Sequence, residues 1–439
     1  MASPVFLNNI IEQIQSVAPA RIVGSVVRME GTTISAVGFP APIGSLAKVE
    51  RHDDSTELLA QVIGFRDNLT LLYSYSELTG VRRGAKIELY KTTLRLPVGN
   101  ELLGRVVDAF GRTIDSGPAP VLRLRARYDG KPPEPCARPR IDTPISTGVR
   151  AIDGLLTCGQ GQRIGIFAGS GVGKSVTLGM MTRYTDADVV VVGLIGERGR
   201  EVNEFIEREL GEEGRKKSVV VVSTSNEPPL MRVRAAYASI AIAEYFRDQG
   251  KNVLFLMDSL TRFAMAQREI GLAAGEPPTS RGYTPSVFAL LPQLVERAGR
   301  NEVGSVTAFF TVLVEGDDKQ DPICDAVRGL LDGHIWLSRK LSARGFYPAI
   351  DVLESVSRLA PSVCSQEHMA LINEARRLLG VYSDAEDLIN VGAYRPGSSD
   401  EIDRAIRLKP KLDAFLRQQV FERSSFSDTL ARLKNVFIE

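Results

Sequence analysis

One stretch, Ala168-Gly169-Ser170-Gly171-Val172-Gly173-Lys174-Ser175, constrains this chain more than any other part of its sequence. It follows an apolar run and precedes a segment with helical composition, and this strand–loop–helix context is typical of a P-loop. Its glycines let consecutive backbone N–H groups turn inward around a phosphate, and the helix N-terminus adds a favourable dipole. The usual pattern begins with glycine where this chain has Ala168, which leaves the phosphate-binding residues themselves intact.

We therefore predict that a contiguous segment binds the phosphates of ATP, with one lysine supplying positive charge and one hydroxyl as a ligand of Mg²⁺. The residues of this segment are Gly169, Ser170, Gly171, Val172, Gly173, Lys174, Ser175 and Val176. Lys174 is the predicted cation and Ser175 the predicted metal ligand. The alternative, a glycine-rich turn that matches by chance, does not explain the flanking strand and helix.

Two acidic residues end other apolar runs. Asp258 closes the run 252–258, which has the form of a Walker B strand, and its carboxylate is predicted to hold Mg²⁺ beside the phosphates. Glu197 lies in Gly196-Glu197-Arg198-Gly199-Arg200-Glu201, at the end of another such run. A carboxylate at the C-terminal edge of a sheet could orient an attacking water. A solvated charge cluster at a strand end is the alternative interpretation of this second site.

The pattern of apolar runs predicts an α/β core. Runs at 163–168, 188–195, 218–223, 252–257 and 305–314 alternate with helical stretches such as 229–249, as in a mostly parallel sheet. Short β-rich runs between turn signals indicate a small barrel or sandwich over 20–92. The Pro- and Arg-rich segment 115–147 is predicted to be an extended connector. Candidate helices at 368–379, 399–408 and 410–422 follow the core.

The N-terminal segment and the composition bear on location and partners. Apolar residues recur at helical spacing over 4–17, so this helix either docks on its own domain or awaits a partner. The segment lacks a basic start and is not a signal peptide, and no apolar run approaches the ~18 residues of a membrane span. Balanced charge, with 54 basic and 53 acidic residues, argues weakly against a dedicated nucleic-acid binder. The four cysteines are not at metal-ligand spacing, and reduced thiols are expected.

Longer stretches of the chain resemble one family, the ATPases of flagellar and type III protein export. The resemblance is carried by 193–202, 245–251, 258–299, 312–318, 347–351 and 355–358, and the block after Asp258 resembles the flagellar branch more than the injectisome branch. The family is similar to catalytic subunits of rotary ATP synthases. It implies an N-terminal helix (1–19), a β-barrel (20–95), a RecA-like P-loop ATPase domain (96–360) and a helical C-terminal domain (361–439).

The resemblance also implies roles for individual residues. Glu197 would be the catalytic carboxylate, and Arg198 and Arg232 would be cations on the phosphate side. Arg358 would be an arginine finger that reaches into the site of a neighbouring subunit, a device that can be worth ~10³–10⁵ in rate.

Two aromatic residues are implied in binding the base. Tyr347 would stack on adenine, and Phe426 would help to close the adenine pocket.

The presence of Glu197 and Arg358 on one chain predicts a homohexamer, because a ring of identical subunits could then make every site active. A monomer should have low activity because its site lacks a finger. The resemblance further implies a stator-like regulatory partner on the N-terminal helix, a coiled-coil stalk in the central pore and chaperone–substrate complexes at the helical domain. It places the protein in the cytoplasm, at the cytoplasmic face of the inner-membrane export apparatus, where it would act on the membrane export gate indirectly.

Other functions remain as alternatives at this point. An injectisome ATPase or a rotary ATP synthase catalytic subunit would use the same chemistry. A ring helicase is disfavoured by the neutral charge and by the lack of a recognisable RNA-binding aromatic motif in 20–92. A non-catalytic nucleotide-binding scaffold is disfavoured by Glu197, which such a subunit would not need.

Overall fold

A computed structural model of the chain describes residues 21–52, 57–314, 316 and 318–438, so the helix predicted over 4–17 lies outside the described residues. The first described unit is a closed six-stranded barrel in the order β1-β2-β5-β4-β3-β6. Alternate side chains of its strands point into a separate apolar core. The strands are β1 Val23–Glu30, β2 Thr33–Val37, β3 Leu46–Val49, β4 Leu58–Arg66, β5 Leu69–Ser74 and β6 Lys86–Lys91.

Short strands run through the connecting segments before the core. Strand β7 (Arg95–Val98) pairs antiparallel with β9 (Leu124–Arg127). Strand β10 (Pro144–Ile145) pairs with β11 (Cys158–Gly159). The connector predicted over 115–147 therefore contains two short strands and one 3-10 turn, Pro135–Ala137, and no α-helix among these residues. Its prolines account for this, because each removes a backbone donor.

The core is one large, mostly parallel sheet in the order β19-β18-β12-β17-β15-β13-β14-β8, with β16 paired to β17. All nine residues of β13 are buried, as expected for a strand that is covered by helices on both faces. The last pair, β18 and β19, is antiparallel. The strands are β8 Val106–Val107, β12 Arg163–Ala168, β13 Val189–Glu197, β14 Ser218–Thr224, β15 Asn252–Asp258, β16 Gly299–Arg300, β17 Ser305–Leu313, β18 Gly333–Leu337 and β19 Ile350–Ser357.

Helices cover both faces of this sheet. They are α1 Arg150–Leu155, α2 Lys174–Tyr184, α3 Gly199–Glu204, α4 Gly211–Lys216, α5 Pro229–Arg247, α6 Leu260–Ala274, α7 Pro285–Val295, α8 Pro322–Leu330 and α9 Arg339–Ala343, with a π-helical turn Phe205–Leu210 and 3-10 turns Asn100–Leu102 and Ser280–Gly282. The predicted helix 229–249 corresponds to α5, which starts with Pro229 at its first position.

The C-terminal part is helical, as predicted, with different boundaries. Its helices are α10 Ala360–Val363, α11 Gln366–Asn390, α12 Asp400–Leu416 and α13 Phe426–Val436. The predictions of separate helices at 399–408 and 410–422 were wrong, because α12 continues through Pro410 and ends at Leu416. Burial of Leu408, Leu412 and Phe415 along one side of α12 opposes the cost of the internal proline.

The helical part packs directly on the core, where His368 Nε2 lies 2.9 Å from the carbonyl oxygen of Gly154. The structure confirms the predicted architecture: a β-barrel, a P-loop α/β core and a C-terminal helical domain. Among the helices of the described ranges, none combines the length and apolar character that crossing a bilayer requires.

Candidate nucleotide site

The predicted P-loop joins β12 to α2 at the carboxyl edge of the sheet. Gly171 and Gly173 have φ values of 78° and 92°, a left-handed conformation that glycine adopts without steric cost. A Cβ placed on Gly173 would lie 3.5 Å from the ring of Tyr347. The structure therefore brings Tyr347 against the phosphate loop.

Three charged side chains converge next to this loop. Lys174 Nζ lies 2.6 Å from Asp258 Oδ1 and 3.6 Å from Glu197 Oε1. The Thr311 hydroxyl donates to the same Asp258 oxygen at 2.7 Å. Asp258, Glu197 and Thr311 come from β15, β13 and β17, which are neighbours in the sheet. The order of strands thus brings together residues that are far apart in the chain: the two carboxylates, at 197 and 258, are 61 positions apart.

Burial and neighbouring charges shift the pKa values of Glu197 and Lys174. Burial, with the nearby Asp258 carboxylate, raises the pKa of Glu197 to about 7, against the opposing attraction of Lys174. Burial alone would lower the pKa of Lys174, but attraction by Asp258 and Glu197 outweighs it, and the net shift is upward. Glu197 Oε1 is buried and has no hydrogen-bond partner within the described part of the chain. A buried acceptor that lines a cavity without a partner is suited to bind a water molecule.

The cavity beside the P-loop has a volume of about 620 Å³. Predicted residues in its wall include Lys174, Ser175, Val176, Glu197 and Arg198. Residues that the sequence analysis did not anticipate also line it: Glu201, Thr261, Arg262, Met265, Leu313, Val314, Gly316 and Arg339. Of these, Thr261, Arg262 and Arg339 lie just after strands β15 and β18, a position that places any side chain at this sheet edge.

The donor set fits a magnesium nucleotide. Inward-facing loop amides and an ammonium group suit phosphates, and the hydroxyl of Ser175 with the carboxylate of Asp258 offers oxygen ligands to Mg²⁺. No cluster of three or more His, Cys, Asp or Glu residues that could hold a metal by itself occurs in the ranges that the structure describes.

The predicted loop residues Gly169, Ser170, Gly171 and Gly173 also line the cavity, whereas Val172, Arg232, Asp258, Tyr347 and Phe426 are not part of its wall. Arg232 packs over Gly196 and pairs with Glu269 Oε1 at 3.2 Å. Val172 is buried beneath the loop. Phe426 starts α13 with its ring 6.0 Å from that of His368, so the structure does not bring it into the wall of the phosphate cavity.

Arg358 is also outside the cavity of its own chain. It follows β19, its side chain is exposed, and its backbone N–H donates to the Asp332 carbonyl at 3.0 Å. The structure therefore places Arg358 apart from the nucleotide cavity of its own chain.

Comparison with family models covers most of the chain. The model of the ATP synthase alpha/beta family nucleotide-binding domain matches residues 148–357, and that of the family's beta-barrel domain matches 20–89. The model of the T3SS EscN ATPase C-terminal domain matches residues 364–435.

Similar proteins come from both branches of the export ATPases. The chain is 51% identical over 414 residues to a flagellum-specific ATP synthase of Bacillus subtilis, and the aligned region covers 94% of each chain. It is 46% identical over 434 residues to a type 3 secretion system ATPase of Xanthomonas euvesicatoria, covering 99% of this chain and 98% of that one.

Solved structures give the same result. The assembled ATPase EscN of the enteropathogenic E. coli type III secretion system aligns with a TM-score of 0.90 and 45% identity, covering 94% of this chain and 99% of that chain. EscN in complex with its central stalk EscO aligns with a TM-score of 0.87 and 44% identity, over the same shares of the two chains. Both the sequence and the fold lead to one conclusion: this chain is an ATPase that belongs to the ATP synthase alpha/beta family, in the group of flagellum-specific and type III secretion ATPases.

Proposed function

We propose that this chain hydrolyses magnesium-bound ATP to energise protein export through a flagellar-type (type III) secretion apparatus, at sites shared between neighbouring subunits of a homohexameric ring. One observation carries the proposal of sharing. Glu197 lines the nucleotide cavity, whereas Arg358 is exposed at the end of β19 and is not part of that cavity. A complete site therefore needs the Arg358 of a second copy.

Within such a site the side chains have separate roles. The loop amides, with Lys174, would bind the β- and γ-phosphates, and Ser175 and Asp258 would hold Mg²⁺. When bound, Mg²⁺ would neutralise part of the phosphate charge. Glu197 would orient the attacking water through Oε1, which accepts no hydrogen bond from the described residues. Arg358 of the neighbour would stabilise charge on the transferred group, and Tyr347 would stack on the base.

The proposed assembly is a ring of identical subunits with partners at its centre, its N-terminal segments and its helical domains. The relative EscN has been solved as an assembled ATPase and with its central stalk EscO, which supports a ring of identical subunits around a coiled-coil stalk here. We place a stator-like regulator on the segment 4–17 and chaperone–substrate complexes at the helical domain. These contacts would hold the ring at the cytoplasmic face of the membrane, near the export gate. Nucleic acid is not among the proposed partners.

Flagellar export is favoured over injectisome export by the resemblance of the block 258–299 to the flagellar branch. An injectisome ATPase is the alternative, because a relative from that branch is 46% identical over 99% of this chain. Complementation separates the two proposals. The gene should restore swimming to a flagellated strain that lacks its own export ATPase, and failure to do so alongside restored injectisome secretion would reverse the assignment.

The shared site is tested by measuring the ATPase rate per subunit against protein concentration, for the wild type and for Arg358→Ala. We expect the wild-type rate to rise with concentration as rings form. We expect the variant to lose roughly 10³-fold in kcat while nucleotide affinity stays close to that of the wild type.

Arg28→Ala is the control, because Arg28 is an exposed arginine of the barrel whose side chain pairs with Glu30. It should behave as the wild type. A rate that is flat with concentration and survives Arg358→Ala would show a self-contained site and would end the proposal of sharing.

A further inference from the structure

The strand that leads to Arg358 contains a wide bulge. In the antiparallel pair of β18 and β19, His334 faces Val356 and Trp336 faces Asp351. The single residue Ile335 therefore stands opposite the four residues 352–355 of β19, which have no ladder partner on β18. Two contacts still join this stretch to β18: the Trp336 amide donates to Ser355 Oγ at 2.9 Å, and His334 Nε2 lies 3.0 Å from Glu354 O. Bulges leave backbone groups unpaired and re-aim the residues that follow them.

An arginine from the helical domain satisfies three carbonyl oxygens of this bulge. Arg376, on α11, donates through Nη1 to Val352 O at 2.6 Å and to Ser355 O at 3.1 Å. Its Nη2 lies 3.4 Å from Leu353 O. A guanidinium has five N–H donors in a fixed plane, so it can hold several acceptors in one arrangement.

The surroundings of Arg376 differ from those of its neighbour in sequence. Arg376 is partly buried and forms no ion pair in the described ranges, although Asp351 lies near enough to act on it electrostatically. Arg377, the next residue, is exposed and pairs with Glu374 and Glu401. Burying a cation against carbonyl oxygens costs desolvation energy, and here no ion pair offsets that cost within the described residues. The contact therefore fixes the conformation of β19 more than it adds to the stability of the protein.

Other contacts fix the rest of the bulge and its exit. Asp351 Oδ1 accepts from the amides of Leu353 and Glu354, each at 3.1 Å. Beyond the bulge, the Ser357 hydroxyl donates to Thr157 O at 2.7 Å, and the Arg358 amide donates to Asp332 O. Arg358 thus leaves the core from a point set by the bulge, three residues after the last carbonyl that Arg376 holds.

We propose that Arg376 is a positioning residue for Arg358: by holding the β19 bulge it makes the helical domain control how the finger reaches the active site of the neighbouring subunit. This inference rests on the shared site of the proposed function. It implies that a partner which shifts α11 relative to β19 changes hydrolysis in the adjacent subunit before it changes hydrolysis in its own.

The first test compares Arg376→Ala with the matched control Arg377→Ala in assembled rings. We expect Arg376→Ala to lower kcat by roughly 10- to 100-fold, since a small misplacement of a catalytic group is that costly. Nucleotide affinity and ring formation should stay within about twofold of the wild type, and Arg377→Ala should be unaffected. Arg376→Lys keeps the charge, can satisfy part of the carbonyl set and should give an intermediate kcat, which provides a folded variant if the alanine protein is unstable.

The decisive test uses mixed rings. Arg376→Ala subunits are co-assembled in equal amounts with Glu197→Gln subunits, which cannot hydrolyse but carry an intact finger. Half of the Arg376→Ala sites would then receive a correctly held Arg358, so the rate should exceed that of either variant alone, up to about one quarter of the wild-type rate. If the mixture shows no recovery, Arg376 acts on its own site and the inference is overturned.

A parallel mixture of Arg358→Ala with Glu197→Gln separates the inference from the proposed function. Recovery there without recovery for Arg376→Ala would reject the positioning role alone. No recovery in either mixture would reject the shared site, and the positioning role with it.

Discussion

At the scale of single residues, the site places one buried ammonium group next to two carboxylates. Lys174 contacts Asp258 at 2.6 Å and is farther from Glu197, at 3.6 Å. Asp258 also accepts from Thr311, whereas Glu197 Oε1 has no hydrogen-bond partner among the residues described. Glu197, whose pKa is raised to about 7, is therefore a carboxylate whose protonation can change near neutral pH.

The raised pKa of Glu197 predicts a pH-dependent effect of Glu197→Gln on stability. Burial raises this pKa from 4.5 to about 7. The folded state therefore binds this proton more tightly than the unfolded state, and the resulting stability is complete below about pH 4.5 and is lost as pH rises to about 7. The variant carries no such penalty, so its free energy of unfolding should exceed that of the wild type increasingly from pH 5 to 7.5, by up to roughly 3 kcal/mol.

Thermal unfolding of both nucleotide-free proteins over pH 5–8 measures this difference. Glu302→Gln, at an exposed position, controls for the loss of a carboxylate as such. A difference between Glu197→Gln and the wild type that does not change with pH would contradict the assigned pKa.

At the scale of elements, the Pro- and Arg-rich connector is fixed to the core by a buried ion pair. Arg297, only 1% exposed, donates through Nε and Nη2 to the two carboxylate oxygens of Glu244 on α5. Its Nη1 donates to the carbonyl oxygen of Tyr128, in the connector, at 2.5 Å. A Cβ on Gly130 would approach both charged side chains to 2.8 Å, so this glycine permits the close approach of the chain.

Glu244→Ala should therefore destabilise the protein strongly. The change leaves the Arg297 guanidinium buried without its carboxylate, a situation that typically costs about 3–5 kcal/mol. Replacing both partners, as in Glu244→Leu with Arg297→Met, should recover much of the loss because no charge is then left buried. Urea unfolding of the three proteins gives the comparison. The matched surface variant Glu213→Ala, which breaks an exposed pair with Lys216, should show no measurable change, and equal effects of the two alanine variants would contradict the argument.

At the scale of the whole molecule, one arginine joins the barrel to the ATPase core. Arg234, on α5, lies 4.9 Å from the ring centres of both Tyr75 and Tyr128 and 5.4 Å from that of Phe110. Its Nη2 donates to Gln61 Oε1 in the barrel at 2.8 Å. The barrel has an apolar core of its own, and this cluster is a polar link between the barrel and the ATPase core.

Arg234→Leu should uncouple the two units. A cation–π contact is worth about 0.5 kcal/mol at an exposed site and about 2 kcal/mol when desolvated, and the hydrogen bond to Gln61 is lost as well. Calorimetry should show a separate, lower transition for the barrel, while the ATP affinity of the core changes little. Arg28→Ala, on the barrel surface, is the control and is expected to leave the melting profile unaltered. A single, unchanged transition for Arg234→Leu would contradict the proposal that Arg234 links the barrel to the core.

The sequence alone determined the parts of this protein whose chemistry is local. The P-loop, the apolar strands and their terminal carboxylates follow from motif and period, because a buried parallel strand needs continuous apolar residues and a phosphate nest needs glycine. The composition of 115–147 likewise excluded a regular helix. The position of Glu197 at a strand end suggested a water-orienting carboxylate, and resemblance assigned it the catalytic role. The role of Arg358 came from resemblance alone, and its action in a neighbouring subunit stays a prediction.

Only the tertiary structure decided what depends on the order of strands and on packing between distant segments. Arg262 and Arg339 have no motif of their own and enter the cavity because β15 and β18 end at the same sheet edge as β12. Phe426 packs on His368 because α13 docks against α11, which no local pattern indicates. The hold of Arg376 on β19 depends on a bulge, and α12 runs through Pro410 because buried neighbours compensate for it. Each outcome is set by contacts between residues far apart in the chain, whose energies exceed the local preferences that a sequence displays.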